Sequence, residues 1–277
     1  MVREKIEHLL QEHTKHDYIS ITTRGNAAIT AALSIIPNIV PKQKIQKKIL
    51  IPEEGGWIHY KKAPGLLGIE VTEVKCHDAK IDFADLHQKV ETKKYAAFLY
   101  QNPGGYFAEQ PMKKIYDLCA KHGCTVIMDV SGSLGTALCN GDYADVLVGS
   151  FGKWKLVDAG SGGFISAKHK KIWDVLKKEV DVLEDEITLQ KIWQKLQELP
   201  ERIGFLQERR NKILTDLSNF NILYPADIGF VVVIEFATVQ EKEKIINYCE
   251  KKELSWTECP RYIRVNKKAI SIEVKQL

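Results

Sequence analysis

The chain has 277 residues, enough to bury one large core and a smaller second one. Its net charge is only +4 at pH 7, and its lysines sit beside glutamates in stretches such as KHKKIWDVLKKE and VQEKEKIINYCEKK, which read as solvated helix faces and not as a nucleic-acid surface. Six cysteines without framework spacing, and no signal-peptide pattern or long apolar run, fit reduced thiols in a cytoplasmic protein that does not enter the membrane.

A helical pattern over about Val2–His16 opens the chain. Tyr18 to Thr22 alternates weakly, and Gly25-Asn26 then starts an alanine-rich helix to Ile36. A helix N-terminus offers free N–H groups and a positive dipole end to a phosphate, and Gly25 lets such a ligand approach the backbone. Arg24 beside it adds positive charge there or faces water. Ile49 to Ile51 reads as a short buried strand ended by Pro52, and Gly55-Gly56 starts a helix to Leu67 that carries Trp57 and His59. A strand near 69–74 and a helix over Phe83–Val90 follow.

The strand at 95–100 leads into QNPGGYF, first of all a turn, but one that lies beyond a strand's carboxyl end, where Gln101 and Asn102 can reach a ligand. A helix covers Glu109–His122. Cys119, His122 and Cys124 are close in sequence but lack zinc-site spacing and a second ligand pair, so they read as ordinary residues of this helix and the next strand. The strand at 124–128 ends at Asp129. Two more strands, near 146–149 and 163–166, flank a glycine-rich turn that holds Lys153 and Lys155.

Strands alternating with helices predict an α/β fold, a mainly parallel sheet sandwiched by helices. After Lys168 the pattern changes. Charged helical segments run to about Leu217, then a strand Gly229–Phe236, a helix Val239–Lys252 and strand-like pieces at Tyr262–Val265 and Ala269–Val274. The expected division is a large domain over 1–168 and a small α+β domain over 169–277, with the first helix packing on the latter.

An aspartate at one strand end and a lysine in the next bend point to pyridoxal phosphate. The lysine forms a Schiff base with the aldehyde, and the carboxylate keeps the pyridinium nitrogen protonated. Lys153 and Lys155 flank Trp154, and in a strand their side chains share a face, so both are candidates.

These motifs resemble the fold-type I enzymes that use this cofactor, and most of all the DegT/DnrJ/EryC1/StrS aminotransferases. The matching residues are Asp129-Val-Ser-Gly-Ser-Leu-Gly135, Ser150-Phe-Gly-Lys-Trp-Lys155, Gly162-Gly163 and the early TTRGNAAITAAL, covering roughly the first 170 residues. The family's S-F-x-x-x-K spacing falls on Lys155, with Lys153 the alternative. By the same resemblance Ser150, Ser131, Gly25 and Asn26 bind the cofactor, Trp57 or else His59 stacks on its ring, and Asn102 contacts its phenolic oxygen. CPRYIRVN places Arg264, or less fittingly Arg261, to hold a substrate carboxylate in the manner of a C-terminal arginine. The chain departs from the pattern at Gly132, where the family has histidine, and it is shorter than the family.

The resemblance implies an aminotransferase acting between an amino acid and a keto acid or keto sugar, assembled as a homodimer. A lyase of the cysteine desulfurase kind is the alternative, with Cys259 the loop candidate for its thiol. The third reading is a non-catalytic binding protein that retains the fold.

Overall fold

The computed structural model describes residues 2–36 and 47–277. Its central element is a seven-stranded sheet in the order β1-β9-β8-β7-β6-β2-β3. These strands are β1 (Tyr18–Thr22), β2 (Lys48–Pro52), β3 (Glu70–Val74), β6 (Ala97–Gln101), β7 (Thr125–Asp129), β8 (Val146–Ser150) and β9 (Gly163–Ala167). All are parallel except β9, which runs against both neighbours. The short runs VIMD, FLYQ and VLVG are buried on both faces, which is why they read as continuous apolar segments and not as alternating ones.

Successive side chains go to opposite faces of the sheet. Leu50, Phe98, Tyr100, Met128 and Leu147 join one cluster, while Ile49, Ile51, Leu99, Ile127 and Val148 join the other. The second face is covered by α2 (Gly25–Ser34) and α3 (His59–Leu66). The first is covered by α4 (Phe83–Glu91) and α5 (Met112–Lys121). A small hairpin, β4 (Cys76–His77) with β5 (Lys80–Ile81), precedes α4.

Beyond β9 the chain forms α6 (Lys170–Leu176), α7 (Glu186–Gln197) and α8 (Leu199–Asp216). An antiparallel sheet ordered β10-β11-β13-β12 completes it, from Asn221–Ile222, Val232–Glu235, Ala269–Ile272 and Trp256–Cys259, with α9 (Val239–Lys251) between β11 and β12. Helix α1 (Val2–Thr14) packs Ile6 and Leu10 into the same cluster as Leu189 and Ile192 of α7. Helix α6, beyond the expected division at Lys168, packs Leu176 back on the large sheet's α2 face.

Three expected elements differ. Tyr262–Val265 is a turn and not a strand, closed by Arg261 N–H donating to the Val265 carbonyl at 2.9 Å, and the strand beside β13 is β12. The helix expected from Gly56 starts at His59. The backbone at Gly55 is held by two bridges instead: its N–H donates to the Tyr262 carbonyl and its carbonyl accepts from Gly105 N–H, each at 2.7 Å. The helix expected from Glu109 starts at Met112, after Pro111. Among the described residues no helix is long and apolar enough to cross a membrane.

Hydrogen bonds sew the two sheets together beside the strand ends. Glu54 accepts from the N–H of Ala79 at 2.8 Å and of Asn266 at 2.5 Å, and Phe230 N–H donates to the Tyr106 carbonyl at 3.0 Å. The loops after β2 and β6 are thereby fixed against the C-terminal sheet.

Candidate active site

Parallel strands bring their carboxyl ends to one edge, where ligands of open α/β sheets bind. β7 ends there with Asp129, in register with Gln101 of β6, and β8 ends with Ser150. Asp129 is only 3% exposed. Its Oδ2 accepts from the Tyr60 hydroxyl at 2.6 Å and its Oδ1 from Ser131 N–H at 2.8 Å. Burial, and then the Asp129 charge, push the Tyr60 phenol well above its ordinary pKa, so it stays a donor. A carboxylate has about four lone-pair sites, so this one is oriented but not saturated.

The first turn of α2 meets Ser150 across the edge. A Cβ on Gly25 would fall 2.6 Å from Ser150 Cβ, so only glycine permits that approach. Arg24 is extended at φ −165° and caps nothing with its side chain, which leaves the helix's first N–H groups to a ligand. Gly25, Asn26, Ser131 and Ser150 share a cavity of about 150 Å³ with Asp129, Trp57 and Lys155.

Trp57 stands at this cavity because its indole N–H donates to Asn26 Oδ1 at 2.8 Å. His59 does not reach it. Its Nε2 pairs with Thr30 Oγ1 at 3.1 Å, on the neighbouring helix, so Trp57 is the only one of the two candidates present. Asn102 is also turned away. It is fully buried, and its Oδ1 accepts from Gln110 N–H at 3.0 Å while its amide faces the sulfurs of Met112 and Met128. It braces the 102–110 loop from inside. Gln101, 1% exposed, has both side-chain polar atoms without a hydrogen-bond partner.

Lys153 and Lys155 do not share a strand face. They lie in a loop in which Trp154 takes φ +66°, not in a strand, and both line the larger chamber beyond, but they differ at the Asp129 cavity. Lys153 is exposed, with its ammonium 4.7 Å from the Trp154 ring centre. Lys155 is half-buried, donates to the Tyr106 hydroxyl and lies 4.6 Å from the Tyr106 ring centre and 5.5 Å from that of Trp57. Of the two, only Lys155 lines the cavity of Asp129.

Tyr106 was not singled out by the sequence. A Cβ on Gly132 would fall 2.5 Å from Tyr106 Cδ1, so the phenol ring occupies the space of the side chain that the D-x-x-H pattern would carry. The departure at Gly132 and the presence of Tyr106 are one feature, seen from two segments.

Beyond Lys155 the cavity widens into a chamber of about 580 Å³ against the C-terminal sheet. Arg264 lines it but is not free to hold a carboxylate. Its Nη2 donates to Glu273 Oε2 at 2.6 Å and Oε1 at 2.8 Å, its Nε to Ser271 Oγ at 2.9 Å, and its Nη1 to the Ile263 carbonyl at 2.9 Å. Both charged side chains are 3% exposed. Burial alone would raise the Glu273 pKa, but Arg264 and Lys275 outweigh it and hold the carboxyl down at about 2. Lys275 also lines the chamber, with Nζ 3.1 Å from Glu273 Oε2 and 5.2 Å from the Tyr106 ring centre. Burial lowers its pKa, against the pull of Glu273, to about 8. Arg261 lines the same chamber from an exposed position. Cys259 is 2% exposed, its thiol is pushed up by burial, and it lines neither cavity, so it lacks the mobile, low-pKa character that a desulfurase needs.

The residues fit pyridoxal phosphate. A glycine-dependent helix N-terminus with Ser150 suits a phosphate, Asp129 suits a ring N–H, Trp57 offers a flat wall and Lys155 an amine.

Comparison with known proteins agrees with this geometry. The structure is similar to Helicobacter pylori PseC, an aminotransferase involved in the biosynthesis of pseudoaminic acid (TM-score 0.79, 14% identity, 99% of this chain and 85% of that one). It is also similar to the putative sugar aminotransferase Spr1654 from Streptococcus pneumoniae (TM-score 0.76, 12% identity, 99% and 86%). A further neighbour is ureidoglycine–glyoxylate aminotransferase from Bacillus subtilis (TM-score 0.73, 14% identity, 98% and 78%). No curated protein matches by sequence. Residues 195–277 match the model of the MJ1341 family C-terminal domain, and residues 3–188 match that of the DegT/DnrJ/EryC1/StrS aminotransferase family. The second match spans more than half of the sequence, and the chain therefore belongs to the DegT/DnrJ/EryC1/StrS aminotransferase family, a fold-type I group whose cofactor is pyridoxal phosphate.

Proposed function

We propose that this protein moves an amino group between an amino acid and a keto acid or keto sugar, with Lys155 as the residue that bonds to the cofactor. The observation that supports this most is that Lys155, Asp129 and the Gly25–Ser150 cradle, from separate segments, open on one cavity. When bound, pyridoxal phosphate supplies an electron sink for the bonds around a substrate Cα. Asp129, oriented by Tyr60 and Ser131, keeps the ring nitrogen protonated. Ser150 and the first turn of α2 hold the phosphate. Lys155 takes the Cα proton and returns it, and the Tyr106 hydroxyl holds the amine in place between transfers.

The substrate's anionic group falls to Lys275 and not to Arg264. Arg264 is engaged on Glu273, Ser271 and Ile263, whereas the Lys275 ammonium has Glu273 as its hydrogen-bonded partner and three donor protons to use. The test is the half-reaction of the cofactor-loaded protein with glutamate and other amino donors, followed by the change in visible absorbance. Lys275→Met is expected to leave the cofactor band intact and to raise the donor KM by roughly 30-fold or more, since losing one partner of a buried charge pair costs about 2–5 kcal/mol. Because Lys275 is charged below about pH 8 and neutral above it, kcat/KM should fall as pH rises through 8 in the parent and lose that limb in Lys275→Met. An unchanged KM would remove Lys275 from the site. No half-reaction with any amino donor would sink the aminotransferase reading itself.

The active form is proposed to be a homodimer. Trp154, at the rim of the chamber, is 44% exposed, and a symmetric partner over that rim would keep water from the reacting atoms. Sedimentation should give a dimer at micromolar concentration; a fully cofactor-loaded monomer would contradict it.

A further inference from the structure

A second cluster of chemistry-bearing side chains lies away from the active-site cavities, where α4 and α5 end. His87 and Glu91 are four residues apart in α4 and share a face, with His87 Nε2 3.3 Å from Glu91 Oε1. His122 directly follows α5, as its C-cap. Its ring meets that of His87 edge-on, centroids 6.4 Å apart at 66°. One ligand atom from each of the three residues lies within 4.8 Å of the others.

Two further observations bear on what this cluster binds. Both ring nitrogens of His122 are shielded from solvent and have no hydrogen-bond partner. Buried polar side chains are nearly always satisfied, and a shielded orphan marks a place for a water or an ion. The helix ends add a field. Glu91 is the last residue of α4 and His122 caps α5, so the negative ends of two helix dipoles face the cluster and favour a cation. The nearby cation Lys89 is neutralised by its own ion pair with Asp85.

We propose that His87, Glu91 and His122 bind one divalent transition-metal ion, with zinc the ion that they suit best. Two imidazoles and one carboxylate are a borderline donor set that favours zinc and its neighbours, whereas magnesium and calcium prefer oxygen donors throughout. Ligand atoms of one tetrahedral ion lie about 3.4 Å apart when each is ~2.1 Å from it. The present spread closes by small rotations of His87 and Glu91, both exposed. Water fills the remaining position. The site is a clamp that pins the end of α4 to the end of α5. The neighbouring thiols lie away from the exposed ligands: Cys119 and Cys124 are buried, 0% and 3% exposed. The second ligand pair that the segment 119–124 lacks in sequence is thus supplied by another helix.

The test is calorimetric titration of the chelator-stripped, cofactor-loaded full chain with zinc chloride, with magnesium chloride as control. One zinc per chain and no response to magnesium are expected. His87→Ala, His122→Ala and the near-isosteric Glu91→Gln should each weaken zinc binding by about 10–100-fold. Cofactor absorbance and far-UV circular dichroism, unchanged in all three, show that each variant is folded. Zinc should also raise the unfolding temperature of the parent and not that of His87→Ala. No zinc binding by the parent would overturn the proposal. So would parent-like binding in the histidine variants, which would place the ion on thiols or at the active site.

Discussion

Replacing Lys155 by alanine is expected to remove the visible absorbance of the cofactor-loaded protein and to lower turnover by about 10⁴-fold, the upper range for a positioned acid–base group. Lys155 is the amine that shares a cavity with Asp129, held by the Tyr106 hydroxyl between the Tyr106 and Trp57 rings. Among the described residues no other lysine lines that cavity. Lys153→Ala, which removes an exposed ammonium stacked on its own neighbour, should leave the spectrum unchanged and turnover within a few-fold. Borohydride reduction followed by peptide mapping places the label directly. A label on Lys153 would reverse the assignment, and a Lys155→Ala protein that keeps its colour and turnover would end it.

Arg264→Ala is expected to destabilise the fold by about 3–5 kcal/mol, the cost of leaving a buried charge without its partner. The loss falls on Glu273, 3% exposed, which keeps Lys275 as its charged partner beside the Ser271 and Thr257 hydroxyls. Urea unfolding of variant and parent measures it. Adding Glu273→Gln to Arg264→Ala should recover part of the loss, because the uncompensated charge is then gone. The pH dependence follows from the lowered Glu273 pKa. Its folded value of about 2 lies below the ordinary 4.5, so its contribution is fully present above pH 4.5 and is lost as pH falls from there through 2. In Arg264→Ala the folded value moves back toward 4.5, so the stability lost on acidification should shrink and the limb should end at a higher pH than in the parent. If instead Arg264→Ala is as stable as the parent and only the donor KM rises, the arginine holds substrate after all.

The two predictions differ in how they arise from the sequence. Lys155 was legible because its signal is local: an apolar strand, a serine, a fixed interval and a glycine pair, all within one β-strand-to-β-strand connection. Asp129 and Gly25 were legible for the same reason, since a strand end and a helix start are set by short-range patterns. Arg264 was legible only as a residue type. The partner that engages it, Glu273, is nine residues on, and β13 carries it back across the turn that Arg264 occupies. A carboxylate waiting in the fold and a carboxylate on a substrate demand the same arginine, and sequence spacing alone does not distinguish them.

Trp57 and His59 are likewise separated by contact: Asn26 holds the first at the cavity and Thr30 holds the second away from it. Asn102 sits beyond β6, where a ligand contact is expected, but the loop that it begins folds back and takes its side chain as a brace. Tyr106 and Gly132 were separate and unremarkable in the chain, and became one feature when the ring of the first filled the space beside the second. His122 has no ligand pair near it in sequence, because its neighbours in space lie 31 to 35 positions earlier, on α4.

Short apolar runs that alternate with helical periods are enough to write the parallel sheet and the order of cofactor motifs along its carboxyl edge. Those features depend on interactions within about one element, which composition and period record. Which polar side chains face the cavity and which face each other emerges only when the chain is folded. That outcome depends on partners brought together from distant segments, and on the rule that a buried charge takes the nearest opposite charge available.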